Sequence, residues 1–181
     1  MWIILAVIVI AIAIAALLAA ASFRPDDFRI ARGTSVSAQP EAIYPMIADF
    51  HRWTEWSPWE TLDADLKRTY GGAGSGLGAT YSWEGRKAGA GHMEIVGVTP
   101  PNLVSIKLDF IRPMKASNMA EFALRPEAGG TAVTWSMTGR QNLIAKVMGV
   151  FFSMDKLVGK DFETGLANIK RNAEQQTGDL P

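Results

Sequence analysis

The hydrophobic pattern of the chain changes character three times. Residues 1–22, MWIILAVIVIAIAIAALLAAAS, show no alternation at all: they carry no charge and scarcely a polar side chain. At about 1.5 Å of rise per helical residue, such a stretch spans the roughly 30 Å hydrocarbon core of a bilayer. A single transmembrane anchor is therefore predicted over residues 1–23, followed by a short linker, 24–27. Residues 28–38, FRIARGTSVSA, read as a strand with Phe28, Ile30, Thr34 and Val36 on one face. Pro40 and Glu41 then open a helix, PEAIYPMIADF. Proline is tolerated in a helix's first turn, but Pro45 at the sixth position predicts a short or distorted one.

From Asp65 onward the period is two. LKRTY, LGATYSWEG, GHMEIVGV, LVSIKLDFI, NMAEFALRP and TAVTWSMTG are six short runs separated by GGAGSG, RKAGAG, TPPN, RPMKAS and EAGG. Glycine-, proline- and polar-rich punctuation of this kind joins antiparallel strands. Leu77, Ala79, Tyr81 and Trp83 share one face, as do Val104, Ile106, Leu108 and Phe110, Phe122 and Leu124, and Val133, Trp135 and Met137. The opposite faces carry Thr80, Ser82, Glu84, Glu94, Lys107, Asp109 and Glu121, so one side of the sheet is apolar and the other wet.

Between Leu143 and Gln175 the period becomes helical, with Val147, Phe151, Met154, Val158, Phe162, Leu166 and Ile169 at three- and four-residue steps. One long amphipathic helix is predicted, lying across the apolar face of the sheet. The fold class is α+β: a curved antiparallel sheet of about seven strands wrapped around a long C-terminal helix. This domain is expected over residues 28–176, with a disordered tail at 177–181.

Three segments carry a family resemblance: AQPEAIYPMIADFHRWTEWSPW, YGGAGSGLGATYSWEG and MDKLVGKDFETGLANIK. Over residues 28–174 the chain resembles the START-like (SRPBCC) superfamily, helix-grip proteins often labelled polyketide cyclase or dehydrase. The last two segments resemble its branch of small bacterial proteins with one N-terminal membrane helix. The resemblance implies a cavity between sheet and C-terminal helix that holds an apolar molecule in many members. None of these motifs is catalytic by itself.

Composition narrows the partners. Lys plus Arg and Asp plus Glu balance at 18 each, which gives no basis for binding nucleic acid. The absence of cysteine excludes disulfides, Cys-based zinc sites and thiol nucleophiles. A signal peptide would need a basic n-region, and only Met1 and Trp2 precede the first isoleucines, although Ala19, Ala20 and Ala21 before Ser22 resemble a cleavage site. Arg24, Arg29 and Arg32 follow the span and no Lys or Arg precedes it, so the positive-inside rule places the domain in the cytoplasm.

The stretch DFHRWTEWSPWE holds three of the six tryptophans. Trp53, Trp56 and Trp59, three residues apart, would fall within one third of a helix's circumference and close one end of the gap between sheet and helix. They serve there either as a core plug or as the lining of a ligand cavity. The predicted ligand-binding set is Trp56, Trp59, Tyr81, Trp83, Phe110 and Trp135, with Phe162 from the helix.

Catalytic chemistry has little support. His92 alternates onto the wet face, and no acidic residue is placed by spacing to orient His51. Two histidines 41 positions apart make a poor metal site; no metal or cofactor is expected. GSGLGA matches a dinucleotide fingerprint, but a strand rather than a helix follows, so it reads as a hairpin loop. Glu55 and Glu60 flank the tryptophans, and Glu55 is the better pocket candidate, since desolvation by indoles would raise its pKa toward acid–base use. LIAKVMGVFFSM, residues 143–154, reads either as the start of the C-terminal helix buried on the sheet or as an apolar, membrane-touching gate with Gly149 easing a bend.

The functional expectation is a membrane-anchored protein that binds a hydrophobic small molecule or lipid without transforming it. One rival is a cyclase- or dehydrase-like enzyme using Glu55, His51 and Tyr81 in the same cavity. The other is an interaction module regulating a membrane partner.

Overall fold

The structure, a computed structural model, describes residues 1–141, 143–151 and 153–178. Helix α1 (Trp2–Ser22) is long and apolar enough to cross a membrane by length and composition, and Ala21 is its one buried residue. Strand β1 (Asp27–Val36) and helix α2 (Pro40–Ala48) follow, then two 3-10 turns, Phe50–Glu55 and Pro58–Thr61. Next come β2 (Lys67–Gly72), β3 (Ala79–Glu84), β4 (Ala90–Thr99), β5 (Leu103–Arg112), β6 (Ala116–Glu127) and β7 (Gly130–Arg140). Two helices close the chain, α3 (Leu143–Phe151) and α4 (Met154–Gly178). The tail expected at 177–181 overlaps the end of α4, and residues 179–181 lie outside the described residues.

The seven strands form one antiparallel sheet in the order β1-β7-β6-β5-β4-β3-β2. The six period-two runs make a meander, and β1 pairs with β7, Ile30 opposite Met137. The alternation in sequence becomes the two faces of the sheet: Ile95, Val104, Ile106, Phe122, Leu124 and Val133 are all buried, while Lys107 and Glu121 face solvent. Leu77 departs from the expected pattern. It is 59% exposed, because β3 starts only at Ala79 and Leu77 belongs to the β2–β3 turn. GSGLGA is thus a hairpin turn, as its context predicts. Gly72 there has φ +66°, and a Cβ would run into the carbonyl of Gly78, so only glycine fits.

The C-terminal region corrects a second expectation. The single helix predicted from Leu143 to Gln175 is two helices. Ser153 precedes the second, and its Oγ accepts from the backbone N–H of Lys156 at 3.3 Å, the N-cap arrangement that starts a helix afresh. Helix α4 packs on β1, β7, α2 and the second 3-10 turn, whereas α3 packs against α1. Surface ties fix α4 to β1 and the residue just past it, among them Lys170, which donates to Ser35 O at 2.7 Å. Arg32 of β1 donates to Asp155 at 3.0 Å and Glu163 at 2.8 Å, and Glu174 accepts from the backbone N–H of Ser37 at 2.8 Å.

Strand register gives the domain two ends. At one, called proximal here, lie the link from α1 to β1, the β3–β4 and β5–β6 turns, and the start of α3. At the distal end lie α2, the β6–β7 turn and the end of α4.

Candidate functional site

The tryptophan turn has a local cause that spacing alone does not reveal. The last carbonyls of a helix have no partner within it. The indole N–H of Trp56 donates to Met46 O at 2.9 Å, and that of Trp53 to Ile47 O at 3.0 Å. The N–H groups of Asp49 and Gly76 serve Pro45 O and Ala48 O. Two tryptophans therefore finish the C-terminus of α2 while filling the core. Pro58 and Ser57 break the stretch into two turns, so Trp53 and Trp56 are buried and Trp59 is half-buried. From α4, Asn168 donates to Trp56 O at 2.9 Å and Asn172 to Glu55 O at 3.0 Å.

The predicted ligand-binding set falls into two packed groups. Trp135 is the hub of the first: it stacks on Phe162 with centroids 4.0 Å apart and meets Trp56 and Trp59 edge-on, each at 5.5 Å. The second lies toward the proximal end, where Tyr81 stacks on Trp83 at 6.1 Å and Trp83 meets Phe110 edge-on at 5.8 Å. The Trp83 indole lies over Gly91 so closely that a Cβ there would overlap the ring. Trp56, Tyr81, Trp135 and Phe162 are buried; Trp59, Trp83 and Phe110 are half-buried. At the same end Ile111 and Met114 are 52% and 47% exposed.

Polar groups inside this shell are few. The carboxylate of Glu60, buried, accepts from Tyr81 Oη and from Arg68 Nε, both at 2.6 Å. Burial, followed by the bond to Glu60, pushes the Tyr81 phenol well above its ordinary value. The better candidate from sequence, Glu55, is instead a surface residue paired with Arg52 at 2.9 Å. The turn at Ser57 and Pro58 reverses which of the two glutamates faces inward. Among the described residues two buried side-chain polar atoms have no hydrogen-bond partner, Asn118 Oδ1 and Trp135 Nε1. Asn118 sits in an inward row across the sheet, paired with Leu108 of β5 and Gly139 of β7. Its amide nitrogen has only the Met137 sulfur, at 3.8 Å.

The remaining candidates lie elsewhere. His51 is oriented after all: its Nδ1 is 2.9 Å from Asp49 Oδ1, and its ring stacks on Tyr70 at 4.1 Å. An acidic partner two residues back was visible in the sequence, but only the turn brings the groups together. His51 borders a concavity of about 220 Å³ with Phe50, Tyr70, Gly71 and Thr80. A groove of about 410 Å³ runs along α4 past Lys170, Arg171 and Glu174. None of the seven predicted binding residues lines either. His92 pairs with Ser82 Oγ at 2.8 Å, away from the apolar interior, and Glu84 with Arg112 at 2.9 Å.

An open antiparallel sheet gripping a C-terminal helix, with an aromatic interior between them, defines a helix-grip α+β protein. The sequence profile of the polyketide cyclase / dehydrase and lipid transport family matches residues 27–174, and the chain belongs to that family. Among curated proteins none matches. Solved structures share the fold. Protein CV1439 from Chromobacterium violaceum superimposes with a TM-score of 0.59 at 15% identity, covering 83% of this chain and 99% of its own. SA2116 from Staphylococcus aureus, a protein of unknown function, gives 0.60 at 13% identity, covering 84% and 97%. Aha1 from Colwellia psychrerythraea, solved as a dimer, gives 0.57 at 15% identity, covering 81% and 96%. Family and fold together point to a domain that binds hydrophobic ligands.

Proposed function

We propose that the chain is a membrane-anchored binding protein for a hydrophobic small molecule or lipid that carries a polar group, held between sheet and α4 without covalent change. In this reading residues 1–23 anchor the protein, 24–27 link, and 28–176 bind. The three arginines after the span support a cytoplasmic domain. The observation that carries the proposal is the pair of unpartnered buried atoms, Asn118 Oδ1 and Trp135 Nε1. Each costs about 1–3 kcal/mol if left unsatisfied, and buried polar groups without partners are uncommon in native interiors. A ligand hydroxyl would donate to Asn118 Oδ1, and a ligand hydroxyl or carbonyl oxygen would accept from Trp135 Nε1. Trp56, Tyr81, Trp135 and Phe162 form the wall in this scheme. Trp59, Trp83 and Phe110, half-buried, are the side chains that swing aside to admit the ligand.

The test is native mass spectrometry with lipid extraction on the full-length chain, beside Asn118→Leu and Trp83→Ser variants that retain the wild-type circular dichroism. A stoichiometric apolar adduct on the wild type, weakened in both variants, is expected. A wild-type chain that carries no adduct and takes up no hydrophobic fluorescent probe would end the proposal.

One observation favours a second, enzymatic reading. The Asp49–His51 pair at the 220 Å³ concavity is the arrangement in which a carboxylate fixes an imidazole tautomer and leaves the other nitrogen as a base. Turnover of a reactive polyketide-like chain that disappears in His51→Gln would support it; turnover insensitive to that change, or none, removes it.

A further inference from the structure

Helix α3 is where composition and burial disagree. Leu143, Ile144, Met148 and Val150 are 55%, 60%, 49% and 37% exposed. At about 100° per residue they share, with half-buried Val147, one continuous arc of roughly 160°, and no charged side chain falls within it. Scattered exposed apolar residues are ordinary, but a contiguous apolar patch marks a contact surface.

The other side of α3 is already occupied. It packs against α1, and three contacts fix it to the link that leaves α1. Lys146, buried, donates to the Asp26 carboxylate at 2.5 Å. The N–H of Gln141 donates to Asp26 O at 2.6 Å. The Arg24 guanidinium lies against Gly149, 3.1 Å from where a Cβ would stand. The apolar arc is thus held beside a helix that is itself apolar on every side. Leu18 near the end of α1 and Phe23 just past it are exposed as well, 43% and 88%.

We propose that α3 lies in the interfacial layer of the same bilayer that α1 crosses. Leu143, Ile144, Val147 and Met148 then rest among the acyl chains, and the exposed Arg24 and Arg140 stand at headgroup level. Amphipathic helices with such an arc sink about 5–10 Å into the headgroup–acyl boundary, and cationic side chains favour its polar margin. The inference rests on reading α1 as an anchor. It adds a second membrane element, too short at nine residues to span, and decides between the two sequence readings of residues 143–154 in favour of membrane contact.

The chain has no cysteine, so one introduced thiol gives one labelling site. Four single variants of the full-length protein, Val7→Cys, Ile144→Cys, Met148→Cys and Ala128→Cys, are spin-labelled in phosphatidylcholine–phosphatidylglycerol vesicles. Collision rates with oxygen, which concentrates in lipid, are compared with those of a water-soluble nickel chelate. All four positions are exposed, so the labels leave the fold intact. Val7 reports the anchor, and Ala128, in the distal β6–β7 turn, reports water. The expected result is that Ile144 and Met148 favour oxygen severalfold over Ala128, at depths shallower than Val7. Lipid exposure at Val7 with Ala128-like values at Ile144 and Met148 would overturn the inference and leave the anchor standing. Aqueous values at Val7 would remove the anchor and this inference together.

Discussion

Trp56 and Trp135 lie 5.5 Å apart in the same interior, yet they belong to regions built on different terms. Around Trp56 every demand is met: its indole caps α2, and Ile43, Met46 and Ile47 beside it are fully buried. Around Trp135 and toward the proximal end the interior is rich in aromatic area but incomplete. An indole N–H and an amide oxygen have no partner, and Trp83, Leu108 and Phe110 are only half-buried. The first region makes the fold. The second has surplus bonding capacity, the condition under which a protein interior gains by taking in something else.

The sharpest way to break this comparison is to truncate one aromatic on each side. Trp56→Ala should destabilise the domain by about 3–5 kcal/mol in urea unfolding. Phe110→Ala should cost only about 1–2 kcal/mol, because less of its area leaves water on folding. Equal losses would mean that the proximal region is core like the rest.

Tyr81 tests the join between the regions. Tyr81→Phe removes a donor from the buried Glu60 carboxylate and should cost about 1–2 kcal/mol. Burial raises the Tyr81 pKa above its ordinary value of 10.0, so the wild type's stability is complete below that pH. It falls as the pH rises further, since the unfolded phenol ionises first. The variant should lose this part of the alkaline decline; an unchanged profile would show the phenol to be freely ionisable in the fold.

Asn118→Leu should move stability the other way, by about 1 kcal/mol upward, while lowering ligand uptake. A loss of stability would mean that the amide oxygen has a partner in the folded protein and that the binding proposal has lost its main support. The smallest effect is expected at the surface tie. The hydrogen bond and charge of Arg32 hold Asp155 below the ordinary value of 3.8. Its contribution is therefore present above that pH and fades as the pH falls through the lowered value. Hydrogen exchange in the first turns of α4 should quicken at the acid end of that window. In Asp155→Asn, exchange there should already be faster at neutral pH.

Much of the architecture was legible in the sequence because strands announce themselves by period two and are punctuated by glycine. The seven strands, the hairpin reading of GSGLGA and the apolar face all follow from that. What escaped depended on turns or on distant neighbours. The break between α3 and α4 hides in a run that is apolar on both sides, with Ser153 as its one marker. Glu55 and Glu60 exchanged roles because a two-residue reversal at Ser57 and Pro58 decides which faces inward. The capping of α2 by two indoles needs six- and ten-residue returns of the chain. The unpartnered atoms of Asn118 and Trp135 are properties of cross-strand packing, which no single stretch contains.

The fastening at Asp26 has a consequence for how a ligand is found. This one residue, in the link that leaves α1, holds Gln141 at the end of the sheet and the buried Lys146 of α3, while the link from α1 to β1 is only four residues long. On the proposed membrane reading, a domain tethered so briefly cannot tumble above its bilayer; it keeps one end turned toward the surface, the end at which Trp83, Phe110 and Asn118 are found. Its search is then two-dimensional, and occupancy follows the fraction of the ligand among the surrounding lipids rather than its concentration in water. Diluting the vesicles would leave the bound fraction unchanged, whereas diluting the ligand within the bilayer would empty the site.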